Sequence, residues 1–203
     1  MAYGTFSTSN FFKYTRNYNV SALTVSVWAY PTSFTAEQTL CGLWGDAVAS
    51  RQWLLGISNT SKMIGAVHDS STRVAIATAN TSANAWMHAA IVFNGSTLVV
   101  YQNGSQVASV ATGGTLQSST DATGIGARQG SEVPCVGNLA EFATWTRALS
   151  LAEIQSLADG FKPARIPTPD IYYPLVREKI DVRNNYTLTT VGSPAVTSHP
   201  RIY

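Results

Sequence analysis

The stretch from Trp86 to Gly104, W-M-H-A-A-I-V-F-N-G-S-T-L-V-V-Y-Q-N-G, restricts the possible folds more than any other part of the chain. It holds two apolar runs, Ala89 to Phe93 and Leu98 to Tyr101, separated by Asn94-Gly95 and followed at once by Asn103-Gly104. A two-residue type I′ turn needs positive φ at both central positions, and Asn-Gly accepts this cheaply, so each pair marks a hairpin. Three consecutive antiparallel strands follow, over 86–93, 97–102 and 105–110. The centre of the chain is a meander.

The flanking segments read as strands that would pack on it. Residues 5–14 form a first strand, with Phe6, Phe11 or Phe12 and Tyr14 as core anchors. Between Ala22 and Tyr30, Leu23, Val25, Val27 and Ala29 fall on one face and Thr24, Ser26, Trp28 and Tyr30 on the other, the period of a strand. Pro31 ends that run, because it has no N–H to give to a ladder. Gln38 to Leu43, Arg51 to Ser58, Lys62 to His68 and Arg73 to Thr78 continue the series, the last with Val74 and Ile76 on one side. A short strand is expected at T-G-I-G-A, within the polar stretch 113–130, and a long one from Gly137 to Trp145.

One short helix is expected near 150–159. Ser150 and Glu153 make a capping box, Leu151, Ile154, Leu157 and Ala158 form an apolar stripe, and Gly160 supplies a left-handed stop. Lys162 to Asp170 is studded with prolines and is read as extended, not helical. Ile171 to Val176 and Tyr186 to Val191 read as two further strands. Fold class is therefore all-β, with residues 1–160 as a β-sandwich and 161–203 as an extended C-terminal segment packed on the sandwich or on a neighbouring subunit.

Composition narrows the function more by exclusion than by assignment. The chain has 203 residues, 12% of them charged, with a formal net charge of +2. A chain of that length buries about 70% of its extended surface, enough for one domain with a real core. The 13 basic residues are scattered, so the footprint of a phosphate-backbone binder is missing and nucleic acid is not an expected partner. Low charge with abundant Ser, Thr, Ala and Asn suits an extracellular-style or particle-associated surface. The start, M-A-Y-G-T-F-S-T-S-N, lacks a basic region followed by an apolar run, and no window is long and apolar enough to span a bilayer. The expectation is a soluble protein made in the cytoplasm, with no membrane partner. Cys41 and Cys135 sit in apolar, strand-like contexts and read first as buried small hydrophobes, with a disulfide as the other reading. Neither CxxC nor HxxxH occurs, so no metal set is recognised.

Taken in order, five segments resemble one family: A-L-T-V-S-V-W at 22–28, W-M-H-A-A-I-V-F at 86–93, L-V-V-Y-Q-N-G at 98–104, G-I-G-A-R at 124–128, and G-N-L-A-E-F-A-T-W-T-R-A-L-S-L-A-E-I at 137–154. Over about 5–160 the chain is similar to the laminin-G-like, concanavalin-A-like lectin domains, which implies an antiparallel jelly-roll β-sandwich. Y-Y-P-L at 172–175 and H-P-R-I-Y at 199–203 resemble the endings of such domains in tailed-bacteriophage structural proteins. That second resemblance implies a non-catalytic virion component, a capsid decoration (cement) protein or other particle-surface subunit. It would be made in the host cytoplasm, and its partners would be capsid or tail proteins and copies of itself. The alternative is a lectin-like module that binds host surface glycans.

Retaining glycoside hydrolysis needs two carboxyl groups about 5–5.5 Å apart, and the eleven acids never pair on one strand face; an enzyme is not expected. His88 reads as structural, hydrogen-bonded in the sandwich, and no G-x-S-x-G elbow occurs. Calcium, a frequent companion of the family, is possible but not assigned. The family's early F-D-G-x-x-D-Y is F-S-T-S-N-F-F at 6–12 here, which removes both carboxylates, and only Asp46 or Asp69 remains as a candidate. The best glycan-binding cluster is Trp44, Asp46, Arg51 and Trp53, two aromatics flanking a polar turn. Tyr172, Tyr173 and Tyr203 are the expected protein-interface anchors. Arg128, Glu141 and Arg147 are read as a polar network tying the helix to the sheet.

Overall fold

The structure is a computed structural model, described for residues 2–128, 133–176, 181–182, 186–200 and 203. Its strands are β1 (Ala2–Gly4), β2 (Phe11–Thr15), β3 (Leu23–Pro31), β4 (Gln38–Trp44), β5 (Arg51–Ile57), β6 (Met63–His68), β7 (Thr72–Ile76), β8 (Met87–Phe93), β9 (Thr97–Gln102), β10 (Ser105–Ala111), β11 (Ala122–Ile125), β12 (Gly137–Trp145), β13 (Ile171–Tyr173), β14 (Thr189–Val191) and β15 (Ala195–Thr197). Among the described residues a single α-helix, α1 (Leu151–Ala158), follows β12. The strands form two antiparallel sheets: β10-β9-β8-β3-β12-β1-β15, with β13 also on β12, and β14-β2-β11-β4-β5-β6-β7.

The meander is β8-β9-β10, with turns at Gly95 and at Asn103-Gly104, where φ is positive. Alternation then decides the layers. Leu23, Val25, Val27 and Ala29 of β3 face Trp53, Leu55 and Ile57 of β5 and their neighbours in one continuous core between the sheets. The opposite face of the eight-stranded sheet is covered by α1, whose Ile154 and Leu157 pack with Ala90, Val92, Ala143, Trp145 and Tyr172. Ser150 and Glu153 cap the helix in both directions, and Arg147 grips the Glu153 carboxylate at 2.6 Å, so the helix start is fixed to the end of β12.

Several expectations need correction. Residues 5–14 do not make one strand: β1 and β2 belong to different sheets, and Thr5, with φ of 60°, turns the chain between them. Pro31 does end β3, opposite Gly137, and lends its carbonyl to Asn84 N–H. Pro163–Arg165 makes one 3-10 turn, because a proline at the first position of a turn gives up an N–H that had no partner there anyway. Val74 and Ile76 do share a side, but it faces solvent.

The segment 161–203 adds β13 to β12, β14 to β2 and β15 to β1. Tyr173, opposite Phe142, points into the core, and Tyr172, opposite Ala143, points to the helix side. Both are buried, so neither offers an exposed interface anchor; only Tyr203 is exposed. Part of the H-P-R-I-Y ending lies outside the described residues. Among the described residues no helix is long and apolar enough to cross a membrane.

Candidate functional site

The cluster Trp44, Asp46, Arg51 and Trp53 comes together only in part. Trp53 lies on the inward face of β5, fully buried and edge-on to Tyr18, so it is a core residue and not a sugar platform. Trp44 lies on the outward face of β4 with Leu54 and Ala66 behind it. Its other side is covered by Arg51, whose guanidinium carbon sits 5.5 Å from the ring centroid and which donates to the Asp46 carbonyl at 2.9 Å and the Gly45 carbonyl at 3.3 Å. Only 7% of Trp44 remains exposed. Asp46 itself is exposed. The corner is occupied by its own arginine.

A different concavity lies on the eight-stranded sheet, and a break in register makes it. The pairing of β12 with β3 shifts between Ala140 and Ala143, so one extra residue is accommodated there. That residue is Glu141, with φ of 55°, a left-handed conformation that costs a non-glycine residue about 1–3 kcal/mol. The bulge changes the parity of the strand: Leu139 and Phe142, three apart, both face the core, while the Glu141 side chain turns away from it. The other edge of β12 is shared by two short strands, β1 opposite Asn138 and Leu139, and β13 opposite Phe142 to Thr144. Glu141 falls at the seam between them, and its N–H is satisfied by the Pro174 carbonyl at 3.1 Å.

The Glu141 carboxylate is 2% exposed and has a polar neighbour at each oxygen. Tyr172 donates its hydroxyl to Oε2 at 2.5 Å, and His199 Nε2 lies 3.0 Å from Oε1. The other ring nitrogen of His199, Nδ1, is 2.6 Å from the Pro200 carbonyl, which can only accept, so Nδ1 carries a proton. Burial, reinforced by the adjacent Glu141 charge, holds the Tyr172 phenol well above its ordinary pKa, so it stays a donor. Around this floor stand Ala164, Pro174, Val176, Val182 and Pro200, with Lys162 also lining a cleft of about 550 Å³. The arrangement presents a buried hydrogen-bond acceptor beneath apolar walls.

The expected network of Arg128, Glu141 and Arg147 is not one network. Arg147 serves the helix cap through Glu153, while Glu141 belongs to the cleft. The Arg128 Nε is buried without a hydrogen-bond partner among the described residues. His88 is fully buried beside Trp28, and its Nε2 is 2.8 Å from Ser26 Oγ; burial pulls its pKa down to about 3. Cys41 and Cys135 are free and buried, and burial pushes Cys135 up to about 12, so both are held as thiols. Asp69 does not fit a calcium ligand: its carboxylate already accepts from the amides of Gly113 and Ser71 and from Arg73. Among the described residues no three His, Cys, Asp or Glu side chains converge on a metal-sized site.

Two antiparallel sheets, a meander at the centre and one helix laid over the outer face define a lectin-type jelly roll. The sequence matches the laminin-G-like model described as the concanavalin A-like lectin/glucanases superfamily over residues 5–155, and the chain belongs to that family. Comparison with curated proteins gives no match. Among solved structures, a protein from Bacteroides ovatus inferred to bind carbohydrate superposes with a TM-score of 0.72 at 19% identity, covering 96% of this chain and 61% of its own. This chain thus spans about three-fifths of that protein's length. A heptameric SAP-like pentraxin from Limulus polyphemus gives 0.63 at 16% identity, covering 91% and 89% of the two chains. The CBM40 of a Ruminococcus gnavus IT-sialidase, solved with α2,3-sialyllactose, gives 0.54 at 17% identity, covering 70% and 84%.

Proposed function

We propose that this chain is a non-catalytic carbohydrate-binding β-sandwich that seats a sugar residue in the cleft at Glu141. The observation that carries the reading is the buried Glu141 carboxylate held by Tyr172 and His199 at the base of an apolar-walled cleft. A pyranose offers hydroxyl donors along its rim and C–H groups on its faces. Each Glu141 oxygen keeps a lone pair beyond its present partner, and Pro174, Val182 and Pro200 offer apolar surface for a ring face. The volume lies within the usual range of small-ligand sites, about 300–1,000 Å³. Family membership and the carbohydrate-binding neighbours support the same class.

A binding role fits better than hydrolysis. Glu141 is the sole carboxylate among the described lining residues, and glycoside cleavage ordinarily takes two. Glycan-array screening followed by calorimetry on the best binder tests the proposal. Glu141→Gln keeps the shape but weakens the acceptor, and affinity should fall at least tenfold, equivalent to about 1.4 kcal/mol. Arg51→Ala at the filled corner should leave affinity unchanged. The bacteriophage-particle role expected from the tail motifs is the competing outcome: no glycan bound, with the protein co-purifying with particles at high copy.

A further inference from the structure

His199 reaches the Glu141 cleft from a stretch of chain tied down on both sides of it. Before it, β15 pairs with β1. After it, the Tyr203 N–H donates to the Gly160 carbonyl at 2.7 Å, and the Lys162 N–H donates to the Tyr203 main-chain oxygen at 3.1 Å. Between these ties, His199 and Pro200 form one side of the cleft.

The imidazole faces an acceptor at each ring nitrogen. Nδ1 lies 2.6 Å from the Pro200 carbonyl and Nε2 3.0 Å from Glu141 Oε1. A neutral imidazole carries one N–H, so it meets one of these contacts and sets the other lone pair against lone pair. The Tyr172 hydroxyl cannot supply the missing hydrogen, because it donates to Oε2 at 2.5 Å. Both contacts are met when the pair holds one further proton, as imidazolium against carboxylate or as imidazole against a protonated carboxyl group; the proton belongs to the pair. The two side chains are 13% and 2% exposed, so water does little to relieve the repulsion once that proton leaves.

Among the described residues, few other charges face the ring. β13 brings the Tyr172 phenol, which stays protonated, and the stretch after α1 brings Lys162 to the cleft wall. Asp181, beside the lining residue Val182, is buried and accepts from the Tyr172 N–H at 2.7 Å. β1 and β15 bring no charge, and Tyr3 of β1 is turned into the core.

We infer that the Glu141–His199 pair is a proton-operated latch on the cleft. With the shared proton bound, His199 holds the Pro200 wall against Glu141; when it is lost, Nε2 and Oε1 repel and the wall is released. The latched form binds the extra proton, so raising the pH opens the cleft. The effect on a ligand rests on the carbohydrate reading above: a sugar seated against Pro200 takes the latched form, and its affinity falls by up to tenfold per pH unit once the free pair has lost its proton.

Amide hydrogen exchange over Ala195–Tyr203, corrected for the intrinsic pH dependence of exchange and measured without sugar at about pH 6 and pH 8.5, tests the latch by itself; that interval spans the range in which imidazoles titrate. Wild-type protection should drop at least tenfold at the higher pH. Glu141→Gln should keep it at both, since an amide N–H meets Nε2 without the extra proton, and His199→Ala should lack it at both. Equal wild-type protection at the two pH values, or a loss in Glu141→Gln matching that of wild type, would overturn the inference; if Glu141→Gln does not fold, wild type against His199→Ala decides. Calorimetry with a glycan found by array then separates the two readings. The expected exchange pattern with no glycan bound upholds the latch and sinks the sugar site, whereas sugar binding with pH-independent exchange sinks the latch alone.

Discussion

The corner at Trp44 and the seam at Glu141 are built from similar parts and end in opposite states. Each brings an aromatic residue, a charged side chain and a change of strand direction to an outer sheet face. At the corner, β4 and β5 are consecutive and joined by a short turn, so Arg51 is close enough in sequence to fold back over Trp44 and donate to the turn's own carbonyls. At the seam, the edge of β12 is completed by strands from opposite ends of the sequence, and they leave Glu141 between them. Local closure fills a surface; long-range closure leaves room.

Three measurements press on that contrast. The largest effect should come from Trp53→Ala, which removes a fully buried indole from the core and should cost about 3–5 kcal/mol in denaturant unfolding. A loss below about 1 kcal/mol would return Trp53 to the surface and reopen the corner as a site. The second concerns the sealed histidine, His88. His88 is neutral in the fold with its pKa near 3, whereas an unfolded histidine titrates near 6.5. The unfolded chain therefore binds the extra proton first. Stability from this group is whole above about pH 6.5 and falls as pH drops toward 3, by on the order of 4 kcal/mol. His88→Gln should flatten that part of the stability curve, and a wild-type curve flat through the window would refute the sealed environment. The smallest effect is expected from Arg51→Ala, which uncovers the Trp44 ring; a half-exposed cation–π contact is worth about 0.5–1 kcal/mol, readable as a small Tm shift with increased quenching of tryptophan fluorescence by iodide.

Much of the fold was legible because its signals are local. Asn-Gly turns, the alternation of Leu23 to Ala29 and the Ser150/Glu153 box each act within a few residues, and β8–β10, β3 and α1 fall where those signals put them. The site was harder to read. Trp53 alternates with Leu55 and Ile57, a pattern that already assigned it to the core side, but its place beside a polar turn suggested a platform. For Glu141 the clue was the three-residue spacing of Leu139 and Phe142, which breaks a period of two and marks a bulge. Nothing local points to His199, 58 residues further along, as its partner. That contact depends on how β13 and β15 settle, and side-chain pattern alone does not encode it. Tyr172 and Tyr173 were misjudged for the same reason: a strand is legible at Ile171 to Val176, but its own residues do not say that it pairs with β12 and so buries both rings.

One arrangement also bears on assembly in time. β1 hydrogen-bonds on one side to β12 and on the other to β15, so nearly two hundred further residues must emerge after it before both flanks are filled. Until then that margin of the growing polypeptide is an unguarded ribbon. Ribosome-bound intermediates in which β15 has not yet emerged should be more prone to mispairing at β1 than those in which it has.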